Sequence, residues 1–159
     1  DRKGGPMPPV MNAFRTIATA QVARSAMQAK DLLFLRPEDG ISMNRDRLLA
    51  DAKAKALSLV EGYQPPASEP IALPGPSGAV ALSISVDQFG RLGQATPHDI
   101  VVGKRLAEVL SGGATDMTER LDEDALLDLE RSALLDLARH PATQDRVRHT
   151  IKTGKPLRN

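Results

Sequence analysis

The sequence of 159 residues contains no cysteine and no tryptophan, and aromatic residues make up only 3% of it. Without cysteine the chain has no disulfide, no thiolate metal site, no cysteine nucleophile and no dithiol redox chemistry, and we expect a cytoplasmic location. Basic and acidic residues number 21 and 20. Because these charges nearly cancel, no overall field attracts nucleic acid or anionic lipid, and we predict neither as a partner.

Long apolar runs are also missing. The longest uncharged stretch, residues 70–86, is interrupted by Pro74, Gly75, Pro76 and Gly78 and is shorter than the roughly 20 apolar residues of a spanning helix. We therefore predict no membrane segment. Hydrophobic residues make up 41% of the chain, which is enough for a folded core.

Local patterns predict helices through the first half of the chain. Residues 1–9 lack an initiator methionine and an apolar signal core, and we interpret them as a loop from within a longer chain. Ser25 and Gln28 form the pattern of a capping box for a short helix that is expected to end at Phe34. A helix before it carries apolar residues at helical spacing, namely Val10, Phe14, Ile17 and Val22.

The clearest helix follows a predicted turn at residues 36–40, a short extended piece at residues 41–43 and an N-cap at Asn44. Gly62 is its predicted stop. One face of this helix forms an apolar stripe that requires a surface to pack on, made of Leu48, Leu49, Ala52, Ala56, Leu59 and Val60.

Residues 63–76 are rich in proline, which favours an extended connection and marks a candidate domain boundary. Residues 79–86 alternate with period two, a strand pattern. We nevertheless favour a helix there, because no second strand is available for pairing, Ser77 suits an N-cap and Gly93 suits a C′ position.

Three further helices have clear start signals. The first begins at Thr96 and Pro97 and ends at the glycine pair 112–113, the second begins at Asp122, and the third runs from Pro141 to about Gly154. Their expected inward stripes are Val102, Leu106, Val109 and Leu110 in the first, and Leu126, Leu129, Ala133 and Leu137 in the second. The fold class is therefore all-α, with about seven helices and essentially no sheet.

Candidate chemistry is sparse. His98, His140 and His149 have no zinc-ligand spacing, so we predict no metal site. His98 with Asp99 is a candidate acid–base pair, but a solvated first helical turn with Asp99 favoured by the helix dipole is the preferred interpretation. The acidic run Asp122, Glu123 and Asp124 resembles a paired-carboxylate site, yet it is also typical of a helix N-terminus.

Two segments, residues 75–78 and 146–159, are candidate anion sites. Residues 75–78 (GPSG) offer backbone N–H groups to a phosphate at a helix start, although a plain connector is the preferred interpretation. The stretch 146–159 carries basic residues and no acidic one, and a helix end that complements its own dipole needs no ligand. No G-x-G-x-x-G, P-loop or G-x-S-x-G motif occurs. We therefore assign no catalytic residue, and the cofactor-binding residues stay unknown.

The ending KTGKPLRN (residues 152–159), with LLDLER (126–131) and TQDRVRH (143–149), resembles the C-terminus of bacterial multifunctional fatty-acid β-oxidation enzymes. Residues 35–50, 73–76 and 109–113 resemble the same group. Such enzymes carry a 3-hydroxyacyl-CoA dehydrogenase and an enoyl-CoA hydratase of the crotonase family on one chain. The resemblance implies that residues 1–62 end a crotonase-like domain, 63–76 form a linker and 77–159 form a C-terminal helical domain.

The resemblance further implies that the parent enzyme uses NAD and acyl-CoA, whereas the family's catalytic residues and nicotinamide-binding glycines lie outside this chain. The expected role of the segment is packing against the parent chain, a second subunit or a thiolase partner. By electrostatics, Lys53, Lys55 and the basic residues of 146–159 are the groups nominated to approach a CoA phosphate. The alternative is a free-standing helical adaptor whose apolar stripes bind a partner helix.

Overall fold

Seven α-helices account for most of the structure, a computed structural model that describes residues 5–159. They are α1 (Met7–Ala18), α2 (Ala26–Asp31), α3 (Leu48–Ser58), α4 (Gly75–Arg91), α5 (Pro97–Leu110), α6 (Glu123–Arg139) and α7 (Pro141–Thr153). A 3-10 turn, Arg45–Arg47, precedes α3, and β1 (Ile71–Ala72) pairs antiparallel with β2 (Arg120–Leu121). The predicted all-α class is confirmed.

The chain divides into two compact units. Residues 5–20 together with Ser68–Asn159 form one, here called the core unit, and Gln21–Ala67 form the other, here called the inserted unit. The division differs from the expected segments 1–62, 63–76 and 77–159, because α1 packs with α4 and α5 rather than with residues 21–62. The core unit is therefore discontinuous in sequence.

The hydrophobic centre of the core unit lies where α1, α4 and α5 meet. Phe14, Leu82 and Ala107 are almost completely buried, with exposed fractions of 2%, 0% and 0%. Val10, Leu73 and Val86 complete this centre, and Ile100, Leu106 and Leu126 pack against it. Val22, expected to share the α1 stripe, lies beyond the end of that helix and is 73% exposed.

Small residues let α4 and α5 approach closely. Gly103, Ala107 and Ser111 recur every four residues on α5 and its C-cap, and all three are buried. A methyl group on Gly103 would lie 3.0 Å from Val86 Cγ1 of α4, and one on Gly78 would lie 3.3 Å from Ser111 Oγ at the C-cap of α5. The inward face of α5 is therefore built from small side chains as well as from the predicted Val102, Leu106, Val109 and Leu110 stripe.

Residues 79–86 are helical, as favoured, although the helix begins earlier than expected. The N-cap of α4 is Pro74, and Ser77 is not the cap, because its hydroxyl donates to the Pro74 carbonyl inside the first turn. Gly75 starts the helix with φ at +64°, and a side chain there would meet Thr115 O at 2.6 Å. Gly93 is the C′ residue as predicted, with φ at +68°.

The start of α1 also differs from expectation. Met7, Pro8 and Pro9, predicted as loop, form the first helical turn, since a proline there lacks only an N–H that would have no intrahelical partner. Residues 1–4 of that predicted loop lie outside the described residues. Thr96, Asp122, Gly112 and Gly154 mark helix ends as predicted.

In the inserted unit, Ser25 caps α2 by accepting a hydrogen bond from Gln28 N. The Gln28 side chain accepts from Arg24 N rather than from Ser25 N, and α2 ends at Asp31 rather than at Phe34. Residues 41–43 form no strand, whereas Asn44 caps the 3-10 turn before α3. The end of α3 at Ser58 leaves Leu59 and Val60 outside the helix.

The predicted stripe of α3 has no cover within the inserted unit. Leu48, Leu49, Leu59 and Val60 have exposed fractions between 52% and 82%, and none of the helix's residues is buried. The sequence pattern required a packing surface for this stripe, and the inserted unit by itself does not supply one.

Candidate functional site

An apolar groove with a volume of about 790 Å³ crosses the core unit between α1, α5 and α6. This volume is in the range of small-molecule sites in proteins. Phe14, Ile17 and Ala18 of α1 form one wall, and the wall on α6 is formed by Leu126, Ala133, Leu134 and Leu137. Its floor on α5 includes Val102, Leu106, Val109 and Leu110, which are the residues of the predicted α5 stripe. We call it the α1–α5–α6 groove.

The polar groups around this groove are few, and most of them are engaged. Arg105 donates to Glu108 at 2.8 Å and to Asp136 at 3.1 Å, and its hydrogen bond to Glu108 raises its pKa. Asp99 is paired with Arg146. Among the residues lining the groove, none forms a nucleophile–base or acid–base hydrogen bond. The arrangement suits an apolar partner better than a reaction.

The start of α5 carries a second notable feature, a cluster of polar side chains contributed by α5, α7 and the segment after α7. His98 is only 3% exposed, and its Nε2 lies 2.8 Å from Thr143 Oγ1 on α7. Its Nδ1 has no hydrogen-bond partner. The ring stacks on that of His140 with centroids 4.7 Å apart. The expected solvated first turn is therefore wrong for His98, because α7 covers it.

Arg146 of α7 connects this cluster. Its guanidinium donates to Asp99 Oδ1 at 2.8 Å, to Thr96 Oγ1 at 3.1 Å and to the Asn159 side chain at 2.7 Å. The backbone oxygen of Asn159 accepts from His98 N, and its amide donates to the Ala142 carbonyl. We call His98, Asp99, His140, Thr143, Arg146 and Asn159 together the α5 N-terminal cluster.

His98 and Asp99, the candidate acid–base pair, both have lowered pKa values, but for different physical reasons. Burial lowers the pKa of His98 below its ordinary 6.5, Arg146 and His140 add to the effect, and Asp99 opposes it. Burial alone would raise the pKa of Asp99, but hydrogen bonds from Thr96 and Arg146 outweigh it and the pKa is lowered. Asp99 completes a capping box with Thr96 and does not hydrogen-bond the His98 ring. The geometry is that of a structural cluster.

The remaining sequence candidates have structural roles in the described chain. Asp122 is the N-cap of α6 and accepts from Ala125 N at 2.8 Å, while Glu123 and Asp124 are exposed in the first turn. In the 75–78 turn, Gly75 N donates to the Ser111 carbonyl, and Gly78 is buried against Pro74 and Ser111. Neither glycine is positioned to cradle a phosphate.

Within each unit, the nominated cations are not gathered into one patch. Arg146 is committed to the α5 N-terminal cluster, and Arg148 pairs with Asp145 at 3.0 Å. Lys152, Lys155 and Arg158 remain exposed. Lys53 and Lys55 are both exposed on α3, but residues two apart lie about 200° apart around a helix axis. They therefore extend to opposite sides of α3.

Within residues 5–159, no group of three or more His, Asp or Glu side chains is arranged to hold a metal ion. In the same part of the chain, each helix is too short or too polar to cross a membrane.

The burial of His98 was not predicted from the sequence. Nothing around it signals a partner, because Thr143 lies 45 residues further along the chain. The run T-P-H-D does predict the cap of α5. The available clue to the cluster is that Arg146 has no acidic residue three or four positions away on its own helix, where an ion pair would form. The docking of Asn159 left no signal in the sequence.

Comparison with known proteins supports part of the predicted resemblance. The chain is 41% identical over 155 residues to a Bacillus subtilis (strain 168) protein described as a "probable 3-hydroxyacyl-CoA dehydrogenase". The aligned region is 97% of this chain and 20% of that protein, so the chain spans about a fifth of the relative's length. No family model matches the chain. No solved structure matches it either.

Proposed function

We propose that this chain is a non-catalytic helical segment of a 3-hydroxyacyl-CoA dehydrogenase that also has enoyl-CoA hydratase activity and acts in fatty-acid β-oxidation. The observation that carries the proposal is the 41% identity to one fifth of a probable 3-hydroxyacyl-CoA dehydrogenase. The hydratase activity in this proposal is supported by the segments 126–131, 143–149 and 152–159, which resemble multifunctional β-oxidation enzymes. In this proposal NAD and acyl-CoA bind elsewhere in the enzyme, because this sequence has no dinucleotide motif and its 75–78 turn is closed by packing.

The role assigned to the segment is packing against the rest of the enzyme, a second subunit or a thiolase. The α1–α5–α6 groove supports this role, because its walls leave Ile17 and Leu134 with exposed fractions of 53% and 64%. Exposed apolar pairs on α4 and α7, Val80 with Ile84 and Val147 with Ile151, point the same way. Contiguous apolar surface of this kind is typical of interfaces.

The enzymatic part of the proposal is tested on the native protein. An antibody against this chain would capture it from source-cell lysate, followed by intact mass measurement and assays of NAD-dependent 3-hydroxyacyl-CoA oxidation and enoyl-CoA hydration. We expect a chain several times longer than 159 residues with both activities. Oxidation without hydration would remove the hydratase from the proposal, and a long chain with neither activity would contradict it.

The packing role predicts a difference between two neighbouring leucines of α6. Leu134 lines the groove, whereas Leu135, 49% exposed, does not. In the longer enzyme, Leu134→Glu should lower the free energy of unfolding by about 2 kcal/mol or more, because it buries an unpaired carboxylate in an apolar contact. Leu135→Glu is the matched control and should change stability by less than about 0.5 kcal/mol. Differential scanning calorimetry would compare them, and equal effects would contradict packing at the groove.

The groove also favours a second candidate, a free-standing helical adaptor that binds a partner helix. A native protein no longer than this chain, without dehydrogenase activity, would support the adaptor and contradict the first proposal. The same antibody capture therefore separates the two candidates.

A further inference from the structure

Helix α7 and residues 154–159 are held on the start of α5 mainly through polar contacts. The structure provides the pair His98–Thr143, the pair Asp99–Arg146 and the hydrogen bonds of Asn159. Val147 and Ile151, the large apolar residues of α7, are 53% and 82% exposed, so they contribute little burial to this docking. Helix α7 also packs against α6, but its contact with the start of α5 is made by polar groups, one of them the buried His98.

The surroundings of His98 favour its neutral imidazole when α7 is docked. Its Nε2 is paired with Thr143 Oγ1, and its Nδ1 is buried without a partner. A protonated imidazole has N–H groups at both positions. Protonation would therefore place a buried N–H without an acceptor, and a positive charge, beneath α7, which is costly unless both are compensated.

The charges that surround His98 increase this cost. Arg146 approaches from α7, the His140 ring stacks on it from the α6–α7 junction, and the N-terminus of α5 itself carries positive partial charge. Asp99 is the acidic group that opposes them, but its carboxylate is already occupied by Thr96 and Arg146. Burial and these neighbours lower the pKa of His98.

His140 links the start of α7 to the buried imidazole. It is the N-cap of α7, and its Nδ1 accepts a hydrogen bond from Ala142 N at 3.2 Å. Its ring also stacks on that of His98. The first turn of α7 therefore lies directly against His98.

We propose that His98 forms a pH-sensitive latch, which holds α7 and residues 154–159 on α5 at neutral pH and releases them as the pH falls. This histidine latch rests on the geometry of the core unit and is independent of the proposed enzyme.

The pH window follows from the direction of the His98 shift. The docked pKa lies below 6.5, so the detached state binds the proton more tightly, and docking is at full strength above about pH 6.5. As the pH falls below that value, the ratio of detached to docked α7 rises by up to about tenfold per pH unit for each proton taken up. Once the docked state is also protonated, the ratio stops changing. The Asp99–Arg146 pair is lost only below the lowered pKa of Asp99, well outside this window.

Native-state hydrogen exchange on the 159-residue chain tests the latch. Protection factors of α7 amides, corrected for intrinsic exchange rates, would be measured by NMR between pH 7.5 and about pH 5 and compared with those of α4 amides. We expect α7 protection to fall by up to about tenfold per pH unit below 6.5, with a much smaller change at Leu82 and Val86. Unchanged α7 protection, or an equal fall in both helices, would overturn the latch.

A single substitution assigns the effect to His98. His98→Phe keeps an aromatic ring without a titratable nitrogen, and this variant should show no fall in α7 protection as the pH is lowered. His149→Gln is the matched control, because His149 lies on α7 and makes no side-chain hydrogen bond among the described residues. It should behave as the wild type. If His149→Gln abolishes the fall, the latch is assigned to the wrong histidine. This outcome overturns the proposal even if His98→Phe prevents α7 from docking.

Discussion

Ser111 occupies a position that requires a small side chain. The residue is completely buried at the C-cap of α5, and its hydroxyl has no hydrogen-bond partner among the described residues. A Cβ on Gly78 would lie only 3.3 Å from that hydroxyl oxygen. The position thus demands a small side chain, whereas the hydroxyl itself contributes no observed contact.

Replacement of Ser111 by alanine should therefore stabilise the chain. Removing a buried hydroxyl without a partner is expected to raise the free energy of unfolding by up to about 1 kcal/mol. The matched reverse change is Ala107→Ser one turn earlier, at a position that is also 0% exposed, and it should lower stability by about 1–3 kcal/mol. Urea unfolding would compare both variants, and a loss of stability in Ser111→Ala would reveal a hidden partner for the hydroxyl.

At the scale of elements, the features set by local sequence are predictable, and those set by tertiary packing are not. The caps at Thr96, Asp122 and Gly93 were predictable because each is set by backbone groups within a few residues. Helix was favoured over strand for residues 79–86 because no pairing partner existed. The start of α4 was missed, since Gly75 is fixed by its contact with Ser111 far along the chain.

For the same reason, only the parts of the groove on α5 and α6 were predictable from the sequence. The stripes on α5 and α6 are predicted by their spacing. All four residues of the α5 stripe line the groove, as do Leu126, Ala133 and Leu137 of the α6 stripe, whereas Leu129 does not. That α1 supplies the third wall could not be inferred, because residues 21–67 separate α1 from its packing partners. The burial of His98 by α7 likewise depends on a contact between elements, not on any local pattern.

Two glycines of α4 differ in what an added methyl group would meet, and this predicts unequal effects of replacing them by alanine. Gly78→Ala would place Cβ 2.3 Å from the rigid Pro74 ring and should destabilise the chain by about 2–4 kcal/mol. Gly90→Ala meets Ile100 Cδ1 at 2.6 Å, the far end of a flexible side chain, and also gains helix propensity of up to about 1 kcal/mol. Its net effect should stay within about 1 kcal/mol of zero. Thermal unfolding followed by circular dichroism measures both, and equal losses would contradict this packing.

At the scale of the whole molecule, the core unit is discontinuous. Residues 5–20 lie in the same compact unit as residues 68–159, while residues 21–67 form a unit of their own. Phe14, 2% exposed, is the main anchor of the first segment. Truncating a buried phenylalanine of this kind to alanine costs about 3–5 kcal/mol.

A chain cut in the proline-rich connection should therefore stay together. With a specific protease site inserted between Pro66 and Ala67, the two fragments are expected to co-elute in native gel filtration after cleavage, because α1 remains packed with α4 and α5. Phe14→Ala should weaken this association, whereas Ile17→Ala, at a position that is 53% exposed, should weaken it far less. Separation of the wild-type fragments would contradict the packing of α1.

The discontinuity of the core unit also sets an order of events during translation. Val10 and Phe14 emerge from the ribosome roughly 90 residues before Ala107, with which they share one hydrophobic centre. At about 5–20 residues per second, the ribosome takes roughly 5–20 s to cover that distance. During this interval the apolar side of α1 has no native partner while the inserted unit is being made. The nascent chain thus presents a hydrophobic helix to chaperones for seconds before the fold can bury it.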